Sequence, residues 1–175
     1  LSQKKLVSDT GELIWNTEQP DSGYLIINTP NTKAFTGFVN NRKFSLGNVS
    51  LSIGKTRLDW ATVSLVSKNA SGFGNMGHST KILLAATGLI ENKGMLIKKT
   101  SKKRIRLTNW GQGPVYVEGI PASIILPVLP SKTKCYALDY RGEKKKKVPV
   151  ENDNGNARIN IGPQYQTVWY EIDIK

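Results

Sequence analysis

The chain has 175 residues, of which 38% are hydrophobic, enough for one domain with a substantial core. Mean hydropathy is −0.34 and no run approaches about 20 apolar residues, which excludes a membrane-spanning helix. A single cysteine excludes an internal disulfide, and a net charge of +12 points towards an anionic partner such as a nucleic acid, an acidic glycan or a membrane surface.

Strand-like segments recur about every ten residues. Segments 5–8 and 12–16 flank the turn Asp9-Thr10-Gly11, and 24–28 follows the turn set Pro20-Asp21-Ser22-Gly23. Segment 33–39 runs into Asn40-Asn41. In 48–53 the apolar residues Val49, Leu51 and Ile53 alternate with polar ones, and in 60–66 Ala61, Val63 and Leu65 share one side. A period of two marks a half-buried strand. The stretch STKILLAATGLI at 79–90 carries no helical stripe and reads as a buried strand. Segments 115–118, 122–126 and 134–140 follow, then the turns Asp139-Tyr140-Arg141-Gly142 and Asp153-Asn154-Gly155-Asn156. In the closing run Val168, Tyr170, Ile172 and Ile174 share one face, and Thr167, Trp169, Glu171 and Asp173 the other. Short alternating strands with Gly, Asn, Asp and Pro turns predict an all-β fold, a single antiparallel β-sandwich over 1–175 with jelly-roll or Ig-like topology. Segment 70–79 reads as a long flexible loop, and 99–104 as another exposed loop or a hairpin end.

Catalytic patterns are weak. Glu12, Glu91 and Glu118 stand in no spacing that marks the facing carboxylate pair of glycoside hydrolysis, although a pair formed in space stays open. Cys135, in the alternating run KCYALDY, reads as a small core residue rather than a thiol nucleophile paired with the one histidine, His78. No His pair, second Cys or Asp-rich loop provides a metal site, so no cofactor is expected; the oxygen-rich ENDNGN around Asp153 suits calcium but more simply makes a turn. GFGNMG neither follows a strand nor opens a helix, so it fails the phosphate-loop test. The basic runs 98–106 and 144–147 suit a polyanion, while the simpler reading makes them a solvated hairpin tip and a charged sheet edge.

Aromatic residues carry the remaining signal. A flat ring stacks on the apolar face of a sugar while polar neighbours bind its hydroxyls. Trp110 in LTNWGQGPVYVEG, with Asn109 and Gln112 beside it, is the first candidate; the alternative folds it back as a core plug between Gly111 and Gly113. Trp169 shares its face with Glu171 and Asp173, which suits an exposed sheet face, and Tyr140 and Tyr165 flank turns where they would line a groove. Trp15 and Trp60 lie in alternating runs and are expected in the core.

The series VSDTGELIWN, GYLIINTPNTKAFTGFVNNRKFSLGNVSL, ILLAATGLIENKGM, NWGQGPVYVEGIPASIILP, ALDYRGEKKKKVPV and TVWYEI resembles the C-terminal β-sandwich accessory region of bacterial TIM-barrel glycoside hydrolases of the cellulase or β-galactosidase-like type. The resemblance spans nearly the whole chain and implies a non-catalytic, secreted, carbohydrate-binding-module-like domain of a polysaccharide-degrading enzyme, with a plant cell-wall type polysaccharide and the parent catalytic domain as partners. It implies no catalytic residue here, because the acid/base pair belongs to the barrel. The start at Leu1, without an initiator Met or a signal peptide, fits a part excised from such an enzyme. Two rivals stand beside this reading: a purely structural domain packed on the barrel, and a polyanion binder acting through the lysine runs. Nucleic acid is the less favoured of the polyanions.

Overall fold

A computed structural model describes residues 4–17, 22–39, 41–68, 72–74, 80–101 and 104–175. His78, most of the Gly-rich loop 70–79, Pro20-Asp21, Asn40 and Lys102-Lys103 lie outside the described residues. The chain forms β1 (Lys5–Val7), β2 (Leu13–Asn16), β3 (Tyr24–Asn28), β4 (Thr32–Phe38), β5 (Lys43–Leu46) and β6 (Val49–Ile53). It continues through β7 (Trp60–Ser67), β8 (Thr80–Thr87), β9 (Ile90–Lys93), β10 (Leu96–Ser101), β11 (Arg104–Asn109) and β12 (Gln112–Val117). It closes with β13 (Ala122–Leu126), β14 (Thr133–Leu138), β15 (Lys144–Val148), β16 (Val150–Asp153), β17 (Asn156–Ile161) and β18 (Trp169–Ile174). The only helical turns among the described residues are the 3-10 turns Pro130–Lys132 and Pro163–Tyr165.

Two antiparallel sheets pack face to face, the all-β sandwich expected from the alternation. A nine-stranded sheet runs β1-β2-β3-β4-β7-β8-β18-β14-β15, and a five-stranded sheet runs β16-β17-β13-β6-β5. Alternate residues of each strand point between the sheets, as the period of two requires. Phe35, Val63, Leu65, Ile82, Leu84 and Ile172 of the larger sheet bury against Leu51, Ile124, Leu126 and Ile159 of the smaller. Cys135 is fully buried in this core, and burial pushes its thiol up to about 12, which keeps it protonated and inert. Tyr24, Phe35 and Phe44 form a ring cluster between the sheets, with Phe35 and Phe44 centroids 4.0 Å apart.

The turns use the chemistry their residues predict. Asn154 and Gly155 both adopt positive φ, 52° and 86°, joining β16 to β17 with the two-residue turn that Asn-Gly favours. Asp139 accepts hydrogen bonds from the Arg141 and Glu143 amides and folds the β14–β15 turn.

One region departs from the sandwich. Residues 90–117 leave it as an arm: β9 pairs with β12, and β10 pairs with β11, each pair a separate two-stranded ladder. Between Ala86 and Ile120 no described residue joins the core. Of the two sequence-based readings of 99–104, exposed loop or hairpin end, the second holds: β10 and β11 run through most of that segment as an antiparallel pair, with Ser101 opposite Arg104. Lysine and arginine hid these strands by masking their apolar alternation. The lysines at 144–147 form an edge strand, β15, rather than a hairpin tip; the tip is the turn at Tyr140 to Gly142.

Candidate functional site

A groove of about 940 Å³ lies where the arm meets the end of the sandwich. Val115, Tyr116 and Val117 of β12 form one wall. Tyr140 in the β14–β15 turn and Lys145 on β15 contribute another, and Pro163 with Gln166 to Trp169 complete the lining. Gly119 sits at the junction, where a Cβ would lie only 2.7 Å from Pro163 Cα, so the returning chain can approach the loop only with glycine.

Local structure sets each aromatic ring. Trp169 opens β18 on the outer face, 43% exposed, because the alternation turns Tyr170 and Ile172 inward. Its amide donates to Thr167 Oγ1 at 3.1 Å, and Gln166, in the left-handed conformation, ends the 3-10 turn before it. Tyr140 stands on the β14–β15 turn, 81% exposed, with the Arg141 guanidinium 5.3 Å from its ring centre. Tyr116 is half-exposed on β12. Lys145 makes no ion pair among the described residues, so its charge is available to the groove. Asp139 also lines the groove, where its Oδ1 accepts both turn amides.

The residues singled out by sequence therefore separate into three places. Trp169 and Tyr140 meet in the groove. Trp110, Asn109 and Gln112 lie on the arm, outside it. Trp110 is 75% exposed, so it does not fold back as a core plug; Asn109 Oδ1 accepts the Gly111 amide at 2.9 Å and shapes the turn around it, while Gln112 pairs with Lys93 across the β9–β12 ladder. Tyr165 is corrected from groove residue to core residue: the 3-10 turn that carries it points it inward, edge-on to Tyr170 with ring centres 5.9 Å apart. Trp15 corrects in the opposite direction, from core to surface, because Ile14 takes the inward register and leaves Trp15 on the outer face. Sequence reading missed the groove roles of Tyr116 and Lys145. The hint for Tyr116 was PVYV, an apolar run on a strand that proves exposed on both faces, and Lys145 was noted only as part of the basic run 144–147.

The carboxylates have structural partners. Glu118 accepts the Arg57 and Leu89 amides at 2.7 and 3.2 Å, and Glu91 pairs with the Arg57 guanidinium; together they fasten the arm root to the sandwich. Glu12 accepts a hydrogen bond from Thr10. Asp153 pairs with Arg158 at 2.9 Å. Glu171 and Asp173, neighbours on the outer face of β18, share Lys144, whose Nζ lies 3.1 and 2.6 Å from their oxygens. Burial pushes the Glu171 carboxyl up, but hydrogen bonds from Lys68 and Lys144 outweigh it and hold the group below the usual carboxylate range. A general acid needs the opposite shift, so Glu171 stands as a charged member of an ion cluster. No group of three or more His, Cys, Asp or Glu side chains able to hold a metal ion occurs among the described residues. No helix among them is long and apolar enough to cross a membrane.

Comparison with protein-family models, curated proteins and solved structures yields no match.

Proposed function

We propose that this chain is a non-catalytic carbohydrate-binding module that tethers a secreted bacterial polysaccharide-degrading enzyme to its substrate. The observation that carries the reading is the groove in which Trp169, Tyr140 and Tyr116 come together beside Lys145, Gln166 and Thr167. Amphipathic rings suit the apolar faces of successive sugars, and the polar groups between them suit hydroxyls. Tethering raises the local concentration of the catalytic partner on the substrate without entering the chemical step. The test is retention of the chain on cellulose, xylan, mannan, β-glucan and pectin. Trp169→Ala is expected to weaken retention about tenfold or more with the melting transition preserved; unchanged retention would remove the groove from the reading.

A second reading rests on a different surface. On the outer face of β1 to β3, Leu6, Leu13, Trp15, Leu25 and Ile27 occupy neighbouring register positions. Leu13 and Trp15 are exposed there, and such a patch favours packing against a larger polypeptide, the parent catalytic domain. The two readings are compatible, because the groove and this face are built from different strands.

A further inference from the structure

The arm carries a feature that glycan stacking does not use. From Asn92 to Val117 the sequence holds Lys93, Lys98, Lys99, Lys102, Lys103, Arg104 and Arg106 and no Asp or Glu, so seven of the chain's cations gather without an anion. In the β10–β11 ladder Lys98 stands directly opposite Arg106. Like charges in that position destabilise a two-stranded ribbon, which is marginal to begin with. Neither side chain has an ion pair among the described residues, and Arg106 is exposed. Conflicts between local electrostatics and the fold are expected at functional or strained sites. The ribbon also continues into the groove: β11 leads through Trp110 into β12, whose far end is the groove wall. Lys145 adds a free cation inside the groove itself.

We infer that the module is built for an acidic polysaccharide, one whose sugars stack in the aromatic groove while its carboxylate or sulfate groups are matched by Lys145 and by the basic ribbon that extends from β12. This inference rests on the glycan reading and names its substrate class. An ordinary charged sheet edge does not explain it: β15 pairs Lys144 with Glu171 and Asp173, whereas from Asn92 to Val117 the sequence holds no acid, and the arm's one carboxylate, Glu91, is paired with Arg57.

The experiment measures binding of the full chain to polygalacturonate, to the same polymer fully methyl-esterified, to a neutral β-glucan and to duplex DNA. Polygalacturonate is expected to bind at least tenfold tighter than its ester, and to weaken about tenfold or more when salt rises from about 50 to 200 mM. The double variant K98Q/R106Q is expected to lose about three- to tenfold on polygalacturonate alone, with K98R retaining affinity; because these side chains are outside the core, a circular-dichroism melt will register folded protein. Trp169→Ala is expected to weaken both polymers. Equal affinity for polygalacturonate and its ester overturns the acidic-substrate inference while the groove reading survives. Binding to neither polymer nor to the β-glucan overturns both. Tighter binding to DNA, indifferent to Trp169→Ala, overturns the inference in favour of a nucleic-acid ribbon.

Discussion

The sandwich and the arm are both antiparallel β-structure, yet they are held by different forces. In the sandwich, strands such as β7 and β8 bury every second residue completely, and the residues between them meet water or neighbouring side chains. In the arm, every residue of β12 is exposed, and Leu96, Ile97 and Trp110 meet solvent. Hydrophobic burial therefore secures the first region, while backbone hydrogen bonds and a few polar clamps at the root secure the second. An element with so few buried apolar contacts belongs to the low-stability end of the molecule.

The sharpest way to break this contrast is to remove equal apolar bulk from each region. Leu84→Ala, deep between the sheets, is expected to cost about 2–5 kcal/mol in a urea titration. Leu96→Ala in the arm is expected to stay within about 0.5 kcal/mol; a core-like loss there would show that the ribbon packs against the body in solution.

A smaller effect separates the root from the tip. Glu118→Ala leaves the Arg57 and Leu89 amides without their acceptor and is expected to cost about 1–3 kcal/mol. Hydrogen exchange should speed up at Leu89 and along 90–117, with protection of β7 and β8 unchanged. Uniform loss of protection would mean that the arm and body open together.

The ion cluster on β18 provides a pH test confined to the sandwich. The Glu171 carboxyl is held below its ordinary value in the folded protein, so its contribution is present above the unfolded value near 4.3. That contribution is lost as pH falls through the lower folded value. Denaturant stability of the wild-type chain should decline on that acid limb, and Glu171→Gln should flatten the decline. An unchanged limb would assign it to other carboxylates.

The smallest effect expected is at Cys135. Its buried thiol, pushed up to about 12, should resist a soluble disulfide reagent in the folded chain and react fully in denaturant. Rapid native labelling would place a breathing motion in β14 rather than in the arm.

Much of the sandwich was legible from residue order. Val49, Leu51 and Ile53, and Ala61, Val63 and Leu65, alternate so regularly that their inward faces follow from the pleat alone. Trp169 was legible for the same reason, since Tyr170 and Ile172 claim the other face. Tyr140 was legible because it sits in a turn that Asp139 and Gly142 specify. In the arm, β12 was legible in part from the segment 115–118, but β10 and β11 were not, because a ladder of lysine, arginine and threonine lacks the apolar period by which strands are recognised. Trp15 and Tyr165 changed sides for a related reason: alternation says that two faces differ, not which face a neighbouring sheet covers.

Sequence alone thus determined the class of fold, its turns and the inward residues of its central strands, because the two-residue pleat and turn stereochemistry are local properties. Only tertiary structure decided that β12 leaves the sandwich, that Tyr116 and Lys145 join Trp169 and Tyr140 around one groove, and that Lys98 stands opposite Arg106 in the β10–β11 ladder. Those facts depend on which distant strands pair and on which surfaces another element covers, and neither is encoded within any short run of residues.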